Sequence, residues 1–216
     1  MNLRKTMLIG AVLFMILAAA AYSLQGSFDF DRRVSEPRIL VAYFSLAGEN
    51  YAVGHVEKGN TALLAEIIAE ETGADLFEIK TKEPYPERIV DVLRVARQEQ
   101  KANVRPELAK NINNLADYDV IFLGYPIWCS DLPMPVYTFL EINDFKGKII
   151  IPFVTSLTDS LTGNEKNIPN HAKGAKVLNG IGLEGKFVHD TPRLVKPIVN
   201  EWLERIDLKN IGKHDY

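Results

Sequence analysis

Val41-Ala42-Tyr43-Phe44-Ser45 is an apolar run that ends on a hydroxyl, and Gly59-Asn60-Thr61 opens an apolar pattern with helical spacing. In parallel-sheet proteins a buried strand that stops on small and hydroxylated residues, followed by a helix starting on Asn-Thr, builds an anion cradle. Hydroxyls and backbone N–H groups converge on the anion, and the helix N-terminus adds its positive partial charge. No Lys or Arg lies between Tyr43 and Val56, and the intervening segment carries Glu49. Neutral donors would hold the anion. That points away from a nucleoside triphosphate with Mg²⁺ and towards the single terminal phosphate of flavin mononucleotide (FMN).

Outward from this stretch, strand and helix patterns alternate. Residues 39–45 form a continuous apolar run, as expected of a strand covered on both faces. Residues 60–72 carry Leu63, Leu64, Ile67 and Ile68 at helical spacing, and Gly73 stops them. A short strand over 76–79, a helix over 86–101, a buried strand over 120–125 broken by Pro126, a helix over 135–142 and a strand over 148–155 follow. A weaker strand over 175–183 and an amphipathic helix over 192–206 close the chain. Five strands separated by helices predict an α/β fold, a doubly wound five-stranded parallel sheet over residues 38–210 with a tail at 211–216.

The chain has 216 residues, of which 47% are hydrophobic and 25% charged, enough to bury a core. A net charge of −3 leaves no basic footprint for nucleic acid. One cysteine, Cys129, excludes an intramolecular disulfide and a cysteine metal cluster, and the four histidines are too scattered for a metal motif. Residues 1–27 read differently. Arg4 and Lys5 precede an apolar run from Met7 to Leu17, then Ala18 to Ala21. This is the pattern of a signal peptide or a retained signal anchor. Residues 28–37 then form a polar linker. Basic residues on the short N-terminal side favour a domain outside the cytoplasm, in the cell envelope, either membrane-anchored or exported. Arg32, Arg33 and Arg38 weigh against that orientation.

Ligands of doubly wound sheets bind beyond the carboxyl ends of the strands, where the connection order reverses. Three strand ends therefore matter. At the first, Ser45, Asn60 and Thr61 are phosphate candidates, with Asn60 placed as an N-cap; the same residues also serve plain helix capping. Residues 46–59 form a long segment without periodicity, uncommon unless functional. The second, Gly124-Tyr125-Pro126-Ile127-Trp128-Cys129-Ser130-Asp131, leaves a buried strand and is expected to expose Tyr125, Ile127 and Trp128 to a planar ring system. The alternative is that Trp128 packs under its own loop. The third begins Thr155-Ser156, where hydroxyls and turning backbone suit a pyrimidine edge.

Gly180-Ile181-Gly182-Leu183-Glu184-Gly185 matches a dinucleotide-binding glycine pattern, which works only between a strand and a helix. Residues 186–192 show no helical period, so these glycines are expected in turns. Ser45 lacks the flanking glycines of a nucleophile elbow. Cys129, with no nearby His or Lys in sequence, reads as a small apolar residue.

Taken together, Ser45, Gly48, Glu49, Asn50, Tyr51, Gly54, Gly59, Asn60 and Thr61 resemble the flavodoxin-like family, in the branch that reads Tyr-Ser-x-x-Gly-Glu-Asn-Tyr after its first strand. Residues 74–79, Pro84-Tyr85-Pro86, Arg105-Pro106, Asp119, residues 124–128, Phe139-Leu140 and residues 152–155 follow the same course. The resemblance implies noncovalent FMN held by Ser45, Gly48, Asn60, Thr61, Tyr125, Pro126, Ile127, Trp128, Thr155 and Ser156. It further implies electron transfer or quinone-type reduction, with a redox partner or small-molecule acceptor. The chain departs from the pattern at Phe44, Leu46 and Cys129. In the third loop Leu157, Thr158, Asp159 and Leu161 stand where glycines usually let backbone approach a flavin. A second class of function stays open, a flavin-free domain of the same fold serving as a tethered or exported binding module.

Overall fold

The computed structural model describes residues 37–206, Leu208 and Ile211. The expected signal or anchor segment, the linker up to residue 36 and nearly all of the tail lie outside these residues. Among the described residues, no helix is long and apolar enough to cross a membrane.

The strands are β1 (Ile39–Tyr43), β2 (Gly48–Asn50), β3 (Gly54–Val56), β4 (Asp75–Glu78), β5 (Val120–Pro126), β6 (Ile149–Ser156), β7 (Lys176–Val177) and β8 (Ile181–Glu184). The α-helices are α1 (Asn60–Thr72), α2 (Ile89–Ala102), α3 (Met134–Ile142), α4 (Ile168–His171), α5 (Gly185–Asp190) and α6 (Pro192–Ile206). The main sheet runs β4-β1-β5-β6-β7, all parallel, and β8 also pairs with β6. The fifth strand position expected from the sequence is thus occupied by two short pieces. β7 pairs at Ile149 and Ile150, and β8 pairs from Phe153 to Ser156. The connection order reverses between β1 and β5, whose registers match Ile39 to Val120 and Tyr43 to Gly124.

Alternate residues of each strand point to opposite faces, and they divide the interior into two cores. Leu40, Ala42, Ile121, Leu123, Tyr125, Ile150 and Val154 pack with Val92 and Ala96 of α2 and with Val136, Phe139 and Leu140 of α3. Val41, Tyr43, Phe122, Ile151 and Phe153 pack with Leu64, Ala65 and Ile68 of α1 and with Val195, Val199 and Trp202 of α6. Gly124 falls on this second face. A Cβ there would lie 2.1 Å from Phe153 Cζ, so the ring occupies the space the glycine leaves.

Two elements went unread in the sequence. Residues 46–59 are not a structureless loop. β2 and β3 form an antiparallel hairpin whose turn holds Ala52 at φ 60°. A helix, α5, does follow the Gly180–Gly185 pattern. Its glycines sit in and beside β8, not in turns. A Cβ on Gly180 would meet the Pro152 carbonyl at 1.9 Å, and one on Gly182 would meet the Ser160 carbonyl carbon at 2.4 Å. They permit close backbone packing along the sheet edge.

Candidate functional site

The start of α1 is held from below by the end of β1. Gly59, with φ −69° and ψ 155°, occupies the N-cap position, so Asn60 is the first helical residue and not the cap that the sequence suggests. The capping oxygen comes from a distance: the Ala62 N–H donates to Ser45 Oγ at 3.1 Å. A Cβ on Gly59 would lie 2.3 Å from the Leu46 carbonyl and 2.4 Å from Ser45 Oγ. Only glycine lets the backbone leave β1 and enter α1 this closely.

Ser45, Asn60, Thr61, Pro126, Trp128 and Thr155 meet around one small cavity of about 30 Å³ at the reversal point of the sheet. Thr61 and Thr155 are joined there by a buried hydroxyl pair at 2.7 Å. Asn60 is 9% exposed, and its amide oxygen is buried without a hydrogen-bond donor. A buried amide left unpaired costs about 1–3 kcal/mol, so this residue is poorly explained by folding alone. Leu46, Glu49, Asn50, Ile89 and Val92 complete the lining. Glu49 caps α2, accepting the Ile89 N–H at 2.9 Å, while its own N–H donates to the Glu87 carbonyl at 2.8 Å. The carboxylate thereby stands at the positive end of a helix. Asn50 Nδ2 donates to the Leu46 carbonyl at 3.1 Å and the Gly48 carbonyl at 3.3 Å, which closes the base of the hairpin. Leu46, Ile89 and Val92 as lining, and the capping role of Glu49, were not expected from the sequence, because they depend on the hairpin folding against α2.

Four sequence candidates fall outside this cavity. Gly48 lies in β2 at φ 96°, where a Cβ would meet the Glu87 carbonyl at 2.9 Å. Ile127 donates its N–H to the Thr155 carbonyl at 3.1 Å and packs on the first core. Ser156 folds the third loop on itself, accepting the Thr158 N–H at 3.1 Å and donating to the Thr158 carbonyl at 2.7 Å. Tyr125 corrects the expectation of an exposed aromatic. It is fully buried, and its hydroxyl donates to Asn164 Oδ1 at 3.1 Å. Burial, with Glu165 close by, pushes its pKa well above the usual phenol value. The reason is strand parity: Tyr125 follows Ile121 and Leu123 on one face of β5.

Trp128 also differs from expectation. It is 9% exposed, packed edge-on against Phe44 at 5.2 Å and Tyr85 at 5.0 Å between ring centroids. Tyr85 in turn donates to Glu99 of α2 at 2.6 Å. Cys129 and Ser130 follow in a tight turn with φ 51° and 62°, closed by the Trp128–Asp131 bridge. Two non-glycine residues at positive φ cost backbone energy, and the turn holds the indole over the cavity. The Asp131 carboxylate fixes the far side, accepting from the Leu132 N–H at 2.8 Å, the Tyr137 hydroxyl at 2.8 Å and Asn167 Nδ2 at 3.1 Å.

A doubly wound 2-1-3-4-5 sheet with a hydroxyl-rich cavity free of basic side chains at its reversal point fits the flavodoxin-like class. Residues 38–206 match the Flavodoxin_4 family, described as Flavodoxin, and the chain belongs to this family. Solved structures agree. A protein from Bacteroides uniformis ATCC 8492, described as a flavoprotein, is 28% identical, with 79% of this chain and 99% of that chain covered and a TM-score of 0.60. One from Bacteroides eggerthii DSM 20697 is also 28% identical, covering 76% of this chain and 98% of that chain, with a TM-score of 0.56. A flavoprotein of Lactobacillus acidophilus NCFM in complex with FMN is 22% identical over 71% of this chain and 97% of that chain, TM-score 0.53, a likeness of fold. No curated protein matches the chain.

Proposed function

We propose that the chain binds FMN noncovalently beyond the carboxyl ends of β1, β5 and β6, and works as an electron carrier or as an FMN-dependent, quinone-type reductase. The observation that carries this reading is Asn60, a nine-tenths buried amide at the first turn of a helix, with an unpaired oxygen, beside the hydroxyls of Ser45, Thr61 and Thr155. The free amide oxygen accepts, which suits a ribityl hydroxyl, while the hydroxyls of Ser45, Thr61 and Thr155 and the backbone N–H groups of the helix start are the donors a phosphate ester would need. Family membership and the FMN complex of the Lactobacillus protein support the same cofactor.

When bound, FMN would supply one- or two-electron transfer. The chain's own residues do the rest. Ser45 holds the loop to α1, the Thr61–Thr155 pair sets the distance between the first and third strand ends, and Trp128 shields the cradle from water. The cavity of about 30 Å³ holds roughly one water, so a phosphate fits only once lining residues move apart. That closure favours one second reading, a flavin-free module of the same fold. We further propose that residues 1–27 place the domain outside the cytoplasm, as a membrane-anchored or exported protein of the cell envelope.

Titration of the flavin-stripped full chain with FMN, followed by flavin fluorescence, separates the readings. Saturable quenching at one FMN per chain, with markedly weaker binding of riboflavin, is expected. No binding of either flavin would establish the flavin-free module instead.

A further inference from the structure

Gly185, the last glycine of the Gly180–Gly185 run, opens α5 and lies against the side chain of Asn60. A Cβ on it would stand 2.6 Å from Asn60 Nδ2 and 3.3 Å from Asn60 Cγ. The nitrogen end of the amide therefore rests on the α5 backbone. The two ends of a planar amide point apart, so its oxygen is turned away from α5. That oxygen is the one buried without a donor, on a residue that lines the cavity.

Nothing in the backbone at Gly185 calls for glycine. Its φ is not positive, and it is a helical residue, where alanine is the better helix former. The close approach of the Asn60 amide is what excludes a side chain. Two unfavourable choices thus meet at one contact, a glycine in a helix and a buried amide oxygen left unpaired. Local rules broken together in this way mark a functional position more often than a structural one. The Gly185 backbone is also held in place. Glu184 before it pairs with Ser156 of β6 and donates its N–H to Asp159 Oδ1 of the third loop at 2.8 Å. Val188, one turn further along α5, is fully buried. A methyl group added at Gly185 would accordingly move the free end of the Asn60 side chain and leave the α5 backbone where it is.

We propose that Gly185 is a positioning residue for the ligand of the cradle, acting through Asn60. By leaving room for the amide nitrogen, it keeps the amide oxygen turned to accept from a ligand hydroxyl. The proposal rests on the reading of the cavity as a flavin site, where that hydroxyl belongs to the ribityl chain.

The test is a double-variant cycle of Gly185→Ala and Asn60→Ala in the full chain, read in two ways. In flavin titrations Gly185→Ala should weaken FMN and riboflavin alike by about two- to tenfold, the equivalent of one neutral hydrogen bond. It should have no further effect once Asn60 is alanine, because the side chain it displaces is gone. In urea denaturation without flavin, Gly185→Ala should raise the midpoint in the Asn60→Ala chain through helix propensity. In the parent chain it should raise the midpoint less, or lower it. Unchanged flavin affinity in the single variant, or the same loss in both backgrounds, overturns the proposal. So does a midpoint shift that is equal in both. A Gly185→Ala chain that folds only together with Asn60→Ala supports it, and one that folds in neither background overturns it. If the parent binds neither flavin, the flavin reading fails on its own, and the urea cycle still decides whether Gly185 seats the amide.

Discussion

Asn60 and Gly124 show two ways in which a single residue is set by its surroundings. The Asn60 amide is buried with its oxygen unpaired, and such a group costs about 1–3 kcal/mol. Asn60→Ala removes that cost, so the unliganded chain should melt at the same temperature or higher. FMN affinity should fall by about two- to tenfold, the equivalent of one neutral hydrogen bond, and riboflavin affinity by a similar factor, because the amide oxygen would accept from a ribityl hydroxyl that both flavins carry. A large drop in melting temperature would show instead that the amide serves the fold. At Gly124 the constraint is steric. Gly124→Ala drives a methyl group into the Phe153 ring and should cost about 1–3 kcal/mol or more in urea denaturation. Adding Phe153→Leu should recover part of the loss; a purely additive double variant would mean that the ring is not what the methyl meets.

At the scale of elements, α3 is fastened to its neighbours through Glu141. Arg105 donates to it from Nε at 2.7 Å and from Nη2 at 2.8 Å, and His171 of α4 approaches through Nδ1 at 2.7 Å. The Arg105 hydrogen bonds, with smaller help from His171, hold the Glu141 pKa below the usual carboxylate value. A carboxylate whose pKa is depressed on folding stabilises the protein above its unfolded pKa, about 4.3. That stability is lost as pH falls through the lower folded value. Glu141→Gln should therefore destabilise the chain at pH 7 and make no difference once the parent carboxylate is protonated. Urea midpoints of both proteins should converge on the acid side. A constant gap at every pH would assign the effect to packing. Glu49 plays a comparable part between the β2–β3 hairpin and α2, and its loss should free the hairpin.

Residues 38–206 are a flavodoxin-family domain, and the proposal that residues 1–27 take it to a membrane can be tested on the whole molecule. If that segment carries the domain across a membrane, a reporter active only in the cytoplasm and fused after Tyr216 should stay silent. A periplasm-competent reporter at the same point should be active. The reverse pattern would place the domain inside, consistent with the opposing pull of Arg32, Arg33 and Arg38.

The apolar runs of β1, β5 and β6 and the helical spacing of α1 and α6 carried the architecture in the sequence itself. Strands covered on both faces must be continuously apolar, and helices that cover them must be apolar on one face. That Ser45 meets Asn60 and Thr61 was legible for the same reason, since a strand end and a helix start are local signals. The hairpin within residues 46–59 was not, because each of its strands has only three residues and is held by Glu87 and Ile89 from elsewhere in the chain. Neither was α5, six residues long and too short to show a period. Tertiary structure alone decided that Tyr125 faces the core and that Trp128 turns onto Phe44 and Tyr85. Which of two opposite faces a strand-end residue serves depends on what packs there, and the residues that pack there lie far away along the chain.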